Sequence, residues 1–393
     1  MALITQPTIG RLFICQALYW CCSMIGITLT ALIGLQLAPL NILATLPLAI
    51  LVLGNLLAVQ PLSVYMQNKG RRAGLLLGAG CGVIGGLISA FGVWLGEFNI
   101  LCLGALPIGA YQASAMYYRF AALEAVDESS KGRASACVIG GGVVAALVAP
   151  SMALWSKNAL ETPFTGAYLM MAVLALVAMG VLSQLPQGAA PIASTGGWTR
   201  IRELLTRPIV RAAVATTAIG HGLMILVMNA TPLAMRFCGL SLETSAQVMQ
   251  WHMLGMFLPA FVAGRLVDTL GSRRVAVIGS GVLLVSAGIA ISGVTAELFL
   301  ISSFLLGLGW NLMLIAGTTL LAQGHTPAER GHAQGLMELS NGSVAASASF
   351  ASGALISGIG WSAVNISIVP LVAIALLMVI PSRRPQSACA GKG

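Results

Sequence analysis

Charged residues are scarce in this chain, and their scarcity excludes most soluble proteins. Lys, Arg, Asp and Glu make up 8% of the 393 residues, whereas hydrophobic residues make up 58%. An ordinary soluble domain carries about 25% charged residues. Because so little charge cannot cover a water-facing surface, we expect an integral membrane protein.

Other absences narrow the function. The sequence contains no G-x-x-x-x-G-K-[ST] phosphate loop, which argues against ATP as the energy source. Its eight cysteines form no CxxC or Cys/His metal pattern, so we expect no metal and no cofactor. Apolar runs separate its basic residues, which argues against nucleic-acid binding despite the net charge of +9. We find no converging nucleophile, base or metal ligands, so we do not expect an enzyme.

Long apolar runs dominate the sequence and predict an all-α membrane protein. A helix needs about 20 residues to cross the hydrocarbon core, whereas a barrel strand needs about ten of alternating polarity. We count about twelve helical spans. Their predicted extents are 12–36, 40–64, 73–95, 99–122, 134–156, 164–184, 210–234, 244–267, 275–294, 297–322, 333–356 and 361–380.

A polar connector divides these spans into two halves of six. The predicted units are a first half at 1–184, a cytoplasmic linker at 185–208, a second half at 209–381 and a tail at 382–393. Basic residues favour cytoplasmic loops. If the N-terminus lies in the cytoplasm, Lys157 and Arg236 are the only Lys or Arg residues that the predicted spans place on the outer side. We therefore expect both termini in the cytoplasm and the protein in the inner (plasma) membrane.

Two loops repeat at an offset of about 200 residues. KGRR after span two corresponds to LGSR after span eight, and DESSKGRASA corresponds to TPAERGHAQG. The second-half loop, GRLVDTLGSR, resembles the G-x-L-x-D-x-x-G-x-R/K motif of the major facilitator superfamily. In the first half, Gln67 stands where the acid would be. The resemblance covers essentially the whole chain and implies two pseudo-symmetric six-helix halves.

The resemblance also implies a conformational latch at these loops. In the family, this cluster holds the halves together in the outward-facing state. The matching residues are Gly264, Asp268, Gly271 and Arg273 in the second half and Gly70, Arg71 and Arg72 in the first. The alternative is that the arginines serve only as topology anchors.

Polar groups at membrane depth are candidates for function, because burying them without purpose is unfavourable. Glu338 lies about 10 Å into span eleven at 1.5 Å per residue, so we predict it as a proton-coupling acid. His221 in span seven is the second proton-coupling candidate. For both residues a structural role within the bundle is the alternative.

Aromatic rings and amides at helical spacing suit a flat organic solute. We predict a substrate cavity lined by Gln16, Tyr19, Gln112, Gln247, Trp251, Trp310, Asn311 and Asn341. We favour Gln247 and Trp251 over His252, which falls off their helix face. The resemblance implies a deep arginine in span four, which this chain lacks, and Arg119 lies too near the inner end of the span to replace it.

These features predict a secondary transporter that moves a small organic solute by alternating access, as proton-coupled efflux. One alternative is uptake of a vitamin-like or metabolite solute by the same fold. A second is a receptor or assembly factor that transports nothing. We expect a monomer whose partners are the solute, protons and the lipid bilayer.

Overall fold

The computed structural model describes residues 4–40, 43, 46–187 and 198–380. The helices of the first half are α1 (Pro7–Leu37), α2 (Leu46–Lys69), α3 (Arg71–Leu95), α4 (Phe98–Ala115), α5 (Tyr118–Glu124), α6 (Lys131–Ile139), α7 (Gly142–Lys157) and α8 (Thr165–Leu182). The linker holds α9 (Trp198–Thr206). The helices of the second half are α10 (Pro208–Phe237), α11 (Leu242–Phe257), α12 (Ala260–Leu270), α13 (Ser272–Ser292), α14 (Ala296–Ala322), α15 (Arg330–Ile366) and α16 (Ile368–Val379). Single 3-10 turns lie at Glu128–Ser130 and Pro327–Glu329.

Eleven segments of the described chain are long and apolar enough to cross a membrane. The remaining predicted span, 333–356, lies within α15, where Glu338 and Asn341 interrupt the apolar sequence. The chain is therefore a multi-pass membrane protein, and the predicted all-α fold of two pseudo-symmetric halves is confirmed.

Short helices pair to form single spans. The helix axis breaks between α4 and α5, between α6 and α7 at Gly140 and Gly141, and between α11 and α12. Gly360, with φ of 80°, divides α15 so that its last turn joins α16 in the twelfth span. Such breaks leave backbone groups unpaired, which is tolerated where helices pack on one another.

Packing follows the two halves. In the first, α3 packs on α4 and α8, and α1 packs on α7 and α8. In the second, α13 packs on α14, and α10 packs on α14 and α15. The halves meet where α2 contacts α15, α6 contacts α12 and α7 contacts α11.

The two repeated loops share one backbone conformation. Gly70 has φ 93° and ψ 156°, and Gly271 has φ 87° and ψ 148°. Only glycine adopts this region readily, so both turns require it. We call the end of the bundle that holds these turns the latch end.

The predicted linker, 185–208, is described in part. Its residues 198–206 form the amphipathic helix α9, with Leu204 buried, and Pro208 begins α10. Residues 188–197 and the predicted tail, 382–393, lie outside the described residues.

Candidate functional site

A cavity of about 430 Å³ lies between the two halves. It extends from Arg119 and Glu338 at its floor to Leu48 and Ser349 near the end opposite the latch end. Ligand pockets for small organic molecules occupy about 300–1,000 Å³, so the cavity can hold one.

Aromatic rings form one wall of the cavity and cross from one half to the other. Tyr19 lies 5.4 Å from Trp20 and 5.7 Å from Tyr111 between ring centroids. Phe257 belongs to the second half, and its ring centroid lies 4.9 Å from that of Trp20 in the first half and 6.4 Å from that of Trp310. Phe257 is absent from the sequence-based prediction because a lone Phe in an apolar helix carries no signal of its position.

Amide side chains line other parts of the cavity. Of the predicted residues, Gln16, Gln112 and Asn341 line it. Asn55 and Asn229 line it as well, and neither is among the predicted residues. The Asn229 side chain donates to the Ser349 hydroxyl at 3.0 Å. These groups offer donors and acceptors without charge.

An ion pair between the halves forms the cavity floor. Arg119 on α5 donates through Nη2 to the Glu338 carboxylate on α15. Arg119 is 6% exposed and Glu338 is 4% exposed, so the pair is buried. Asn341 Nδ2 lies 3.5 Å from the same carboxylate. Arg119 is absent from the predicted cavity residues, and in the structure it is the partner of the predicted acid.

His221 and Trp310 meet in the second half, on the cavity wall. Trp310 Nε1 donates to His221 Nδ1 at 2.9 Å. A nitrogen that accepts a hydrogen bond carries no proton, so this contact requires a neutral imidazole. The arrangement orients both side chains towards the cavity that they line.

Three predicted cavity residues lie elsewhere. Trp251 is 45% exposed, and Gln247 is also exposed on the outer face of α11. Asn311 is buried and donates to the Met256 carbonyl at 2.6 Å.

Helix packing explains the position of Gln247 and Trp251. A Cβ at Gly255 would lie 2.3 Å from the Phe304 carbonyl, so α11 and α14 approach closely there. This contact turns the face bearing His252 inward, where its Nδ1 lies 2.8 Å from the Ser303 carbonyl. Gln247 and Trp251 therefore lie outside the described lining of the cavity in this structure, and so does His252.

At the latch end, Asp268 joins the two halves. Its carboxylate accepts from the Gly132 amide at 2.8 Å and the Arg133 amide at 3.2 Å. Arg133 Nε donates to it at 2.9 Å. A Cβ at Gly264 would lie 2.7 Å from the Gly132 carbonyl, so the helices touch here.

Gln67 occupies the corresponding place in the first half. Its Oε1 accepts from the Gly331 amide at 2.5 Å, and its Nε2 donates to the Ala328 carbonyl at 2.5 Å. Ser63 adds a bond to the Gly331 carbonyl at 2.7 Å. The neutral amide therefore makes the same contact with a helix start that Asp268 makes.

Charged groups reinforce the first-half contact. Arg71 pairs with Glu124 at 2.5 Å, and Arg330 pairs with the same carboxylate at 3.2 Å. Arg71 also donates to the Gln334 side chain. The side chains of the predicted latch residues Arg72 and Arg273 make no hydrogen bond or ion pair with the part of the chain that the structure describes.

Comparisons with known proteins agree with this architecture. The sequence profile of the Major Facilitator Superfamily matches residues 218–392. The riboflavin transporter RfnT of Brucella anthropi is 36% identical over 396 aligned residues, which cover 98% of this chain and 100% of that protein.

Solved structures match over nearly the whole chain. The outward conformation of FucP superposes with a TM-score of 0.75 at 14% identity, covering 96% of this chain and 99% of that chain. The human organic anion transporter MFSD10 superposes with a TM-score of 0.78 at 12% identity, covering 95% and 99%. A cavity between two such halves serves transport rather than catalysis, and the chain belongs to the major facilitator superfamily of membrane transporters.

Proposed function

We propose that the chain takes up riboflavin, or a flavin-like solute, by alternating access. The observation that carries the proposal is the aromatic wall of the cavity, whose rings span both halves. The 36% identity to a riboflavin transporter along the full chain supports it. Uptake was the alternative in the sequence analysis, where efflux was preferred.

The wall suits the chemistry of a flavin. A flat tricyclic ring gains from stacking on aromatic side chains, and each such pair contributes about 0.5–1.5 kcal/mol beyond area burial. A polyhydroxylated tail needs uncharged donors and acceptors, which Gln16, Gln112, Asn229 and Asn341 supply. We infer that the ring lies against Trp20 and Phe257 and that the tail meets the amides.

Alternating access requires two bodies that rock about the cavity. We propose that residues 1–184 and 209–381 are these bodies, with 185–208 as the joining linker. The asymmetric distribution of basic residues supports a cytoplasmic latch end, cytoplasmic termini and location in the inner membrane. The structure would then be the outward-facing state of a monomer.

Protons are the proposed coupling ion. Glu338 lies on the cavity floor, and separation of the halves would part it from Arg119. An acid that alternates between a paired and an unpaired position can release and take up a proton. His221 is a second candidate, because protonation of Nδ1 would break its bond to Trp310.

The test measures flavin movement in sealed vesicles. Right-side-out vesicles that contain the protein should accumulate riboflavin under an inwardly directed proton gradient, and inverted vesicles loaded with riboflavin should release it under an outwardly directed proton gradient. Movement of flavin against this direction would support efflux instead. Absence of flavin flux in active, folded protein would overturn the proposed solute.

A matched pair of tryptophan variants tests the aromatic wall. Trp20→Leu should weaken riboflavin binding by about tenfold, because it removes one stacking surface. Trp94→Leu is the control, since Trp94 is exposed on α3 and does not line the cavity. Equal affinities in the two variants would contradict the role of the wall.

A further inference from the structure

The charges on the cavity wall cancel. Among the described residues that line the cavity, two carry a formal charge, Arg119 and Glu338, and they pair with each other. The imidazole of His221, also in the lining, is neutral while Trp310 donates to its Nδ1. The remaining polar lining residues are amides, hydroxyls and an indole.

Other charges near the floor do not reach the cavity. Arg71, Glu124 and Arg330 lie on its latch side, pair among themselves and do not line it. Their side chains are partly exposed, so solvent screens them. A solute in the cavity therefore faces the Arg119–Glu338 pair and no other formal charge of the described lining.

This arrangement disfavours an ionised solute. A charge moved from water into a mostly apolar cavity loses hydration and needs a counter-charge there. With the floor closed, Arg119 could pair with an anion only if Glu338 stayed behind as a buried unpaired carboxylate or took up a proton, and the existing ion pair disfavours both. A neutral solute avoids both losses.

We propose that the Arg119–Glu338 pair acts as a charge filter that admits uncharged solutes and rejects their anionic derivatives. This inference deepens the proposed function and rests on it for the choice of flavin. It then predicts that the transporter distinguishes riboflavin from its phosphate monoester, flavin mononucleotide. That phosphate carries about −1.5 to −2 charges at pH 7.

The experiment measures the ratio of two affinities. Purified full-length protein in detergent is titrated into riboflavin and into flavin mononucleotide, and quenching of flavin fluorescence gives each Kd. In the wild type, the phosphate ester should bind at least about 30-fold more weakly. General damage to the protein lowers both affinities and leaves their ratio unchanged.

Two variants change the charge of the floor. Glu338→Gln leaves Arg119 unpaired, so the preference for riboflavin should fall by about tenfold or more. The double variant Arg119→Gln with Glu338→Gln is neutral again, and the wild-type preference should return. Glu161→Gln is the control, since Glu161 is an exposed acid in the α7–α8 connection outside the cavity lining.

The outcomes separate the filter from the proposed solute. A preference unchanged in Glu338→Gln would mean that size, not charge, excludes the phosphate, and would overturn the filter. If the wild type binds neither flavin, the proposed solute is wrong. The filter is then tested on compounds that shift the protein's melting temperature in a metabolite library. Neutral ligands alone would support it, and anionic ligands of equal affinity would overturn it.

Discussion

Arg119 and Glu338 bring opposite charges from the two halves together at membrane depth. Removing one member of a buried pair destabilises a protein by about 3–5 kcal/mol, because the other charge stays behind. The pair therefore stabilises the state in which the halves meet at the floor. Its opening is where we expect a proton to enter the transport cycle.

Glu338→Gln tests that expectation. The amide cannot exchange a proton, so the variant should lose the dependence of riboflavin uptake on a pH gradient while counterflow exchange of labelled riboflavin persists. Glu338→Asp, which keeps a carboxylate, is the matched variant and should retain part of the coupling. Uptake that still follows the gradient in Glu338→Gln would remove the acid from the coupling mechanism.

The sequence indicated one member of this pair and missed the other. Glu338 stands out because a carboxylate interrupts an apolar helix, so its depth follows from counting residues. Arg119 carries no comparable signal, because its position in the sequence lies near the inner end of span four. A turn at Met116 and Tyr117 separates α4 from α5, and Arg119 lies on α5 at the cavity floor. Sequence periodicity does not reveal such a turn.

At the level of helices, the two loop contacts differ in charge but share geometry. Asp268 and Gln67 each accept a hydrogen bond from the amide of the glycine that follows a basic residue, Gly132 or Gly331. The carboxylate also pairs with Arg133, and charge-assisted bonds are about twice as strong as neutral ones. The Asp268 bond to its glycine should therefore be stronger than the Gln67 bond to its own.

Asp268→Asn makes the second contact neutral, like the first. We expect transport to slow by about three- to tenfold with little change in riboflavin Kd, because the closed latch end becomes less populated. Arg274→Gln is the control, since it removes an exposed charge from the same turn. Initial uptake rates in vesicles check the prediction, and normal turnover in Asp268→Asn would exclude a latch role.

The loops also show how far sequence reasoning extends. The motif in the second-half loop marks Asp268 as a latch residue, and in the structure its carboxylate accepts from the Gly132 amide. The contact of the first-half loop is harder to predict from sequence, because Gln67 has no charge. Its two neutral hydrogen bonds become visible only in the structure. On α11, the close approach to α14 at Gly255 decides which polar face points inward. The spacing of polar residues along the helix does not predict that approach.

A further ion pair ties α10 to the start of α15 outside the membrane. Arg207 donates twice to Glu329, at 2.8 and 2.7 Å, and Thr326 adds bonds to the same carboxylate at 3.0 Å. The hydrogen bonds from Arg207 lower the pKa of Glu329 from 4.5 to about 2. A depressed acid pKa stabilises the fold above the unfolded-state pKa.

The stabilisation from Glu329 should be complete above pH 4.5 and disappear as the pH falls towards 2. Glu329→Gln should therefore lower the melting temperature by about 2–4 °C at pH 7 and by less at pH 3. Glu128→Gln, in the corresponding turn of the first half, is the exposed control. A deficit that stays constant from pH 7 to pH 3 would contradict the linkage.

On the scale of the whole molecule, the cavity reaches one end of the bundle and stops short of the other. Its lining extends to Leu48, near the start of α2, whereas the floor at Glu338 lies about 12 Å into α15 from the latch end, at 1.5 Å per residue. Between floor and latch end, the halves touch through Gly132, Gly264 and Gly331. The latch end is therefore closed in this structure.

Closure depends on glycines that leave no room for a side chain. A Cβ at Gly132 would lie 2.5 Å from Asp268 Oδ1 and 2.7 Å from the Gly264 carbonyl. Gly132→Leu should therefore wedge the halves apart and shift the protein towards a state open at the latch end. Interfaces between packed helices hold two discrete arrangements, so one wedge can change the population of the whole molecule.

Cysteine labelling measures the shift. With the eight native cysteines replaced, Asn55→Cys places a thiol in the cavity wall, and a membrane-impermeant maleimide is added to right-side-out or inverted vesicles. The closed latch end predicts labelling from the outer face, and Gly132→Leu should move labelling to the inverted vesicles. Gly288→Leu is the control, because its Cβ would meet nothing within 4 Å. Labelling that is identical in the wedge and control variants would show that the glycine contacts do not govern access to the cavity.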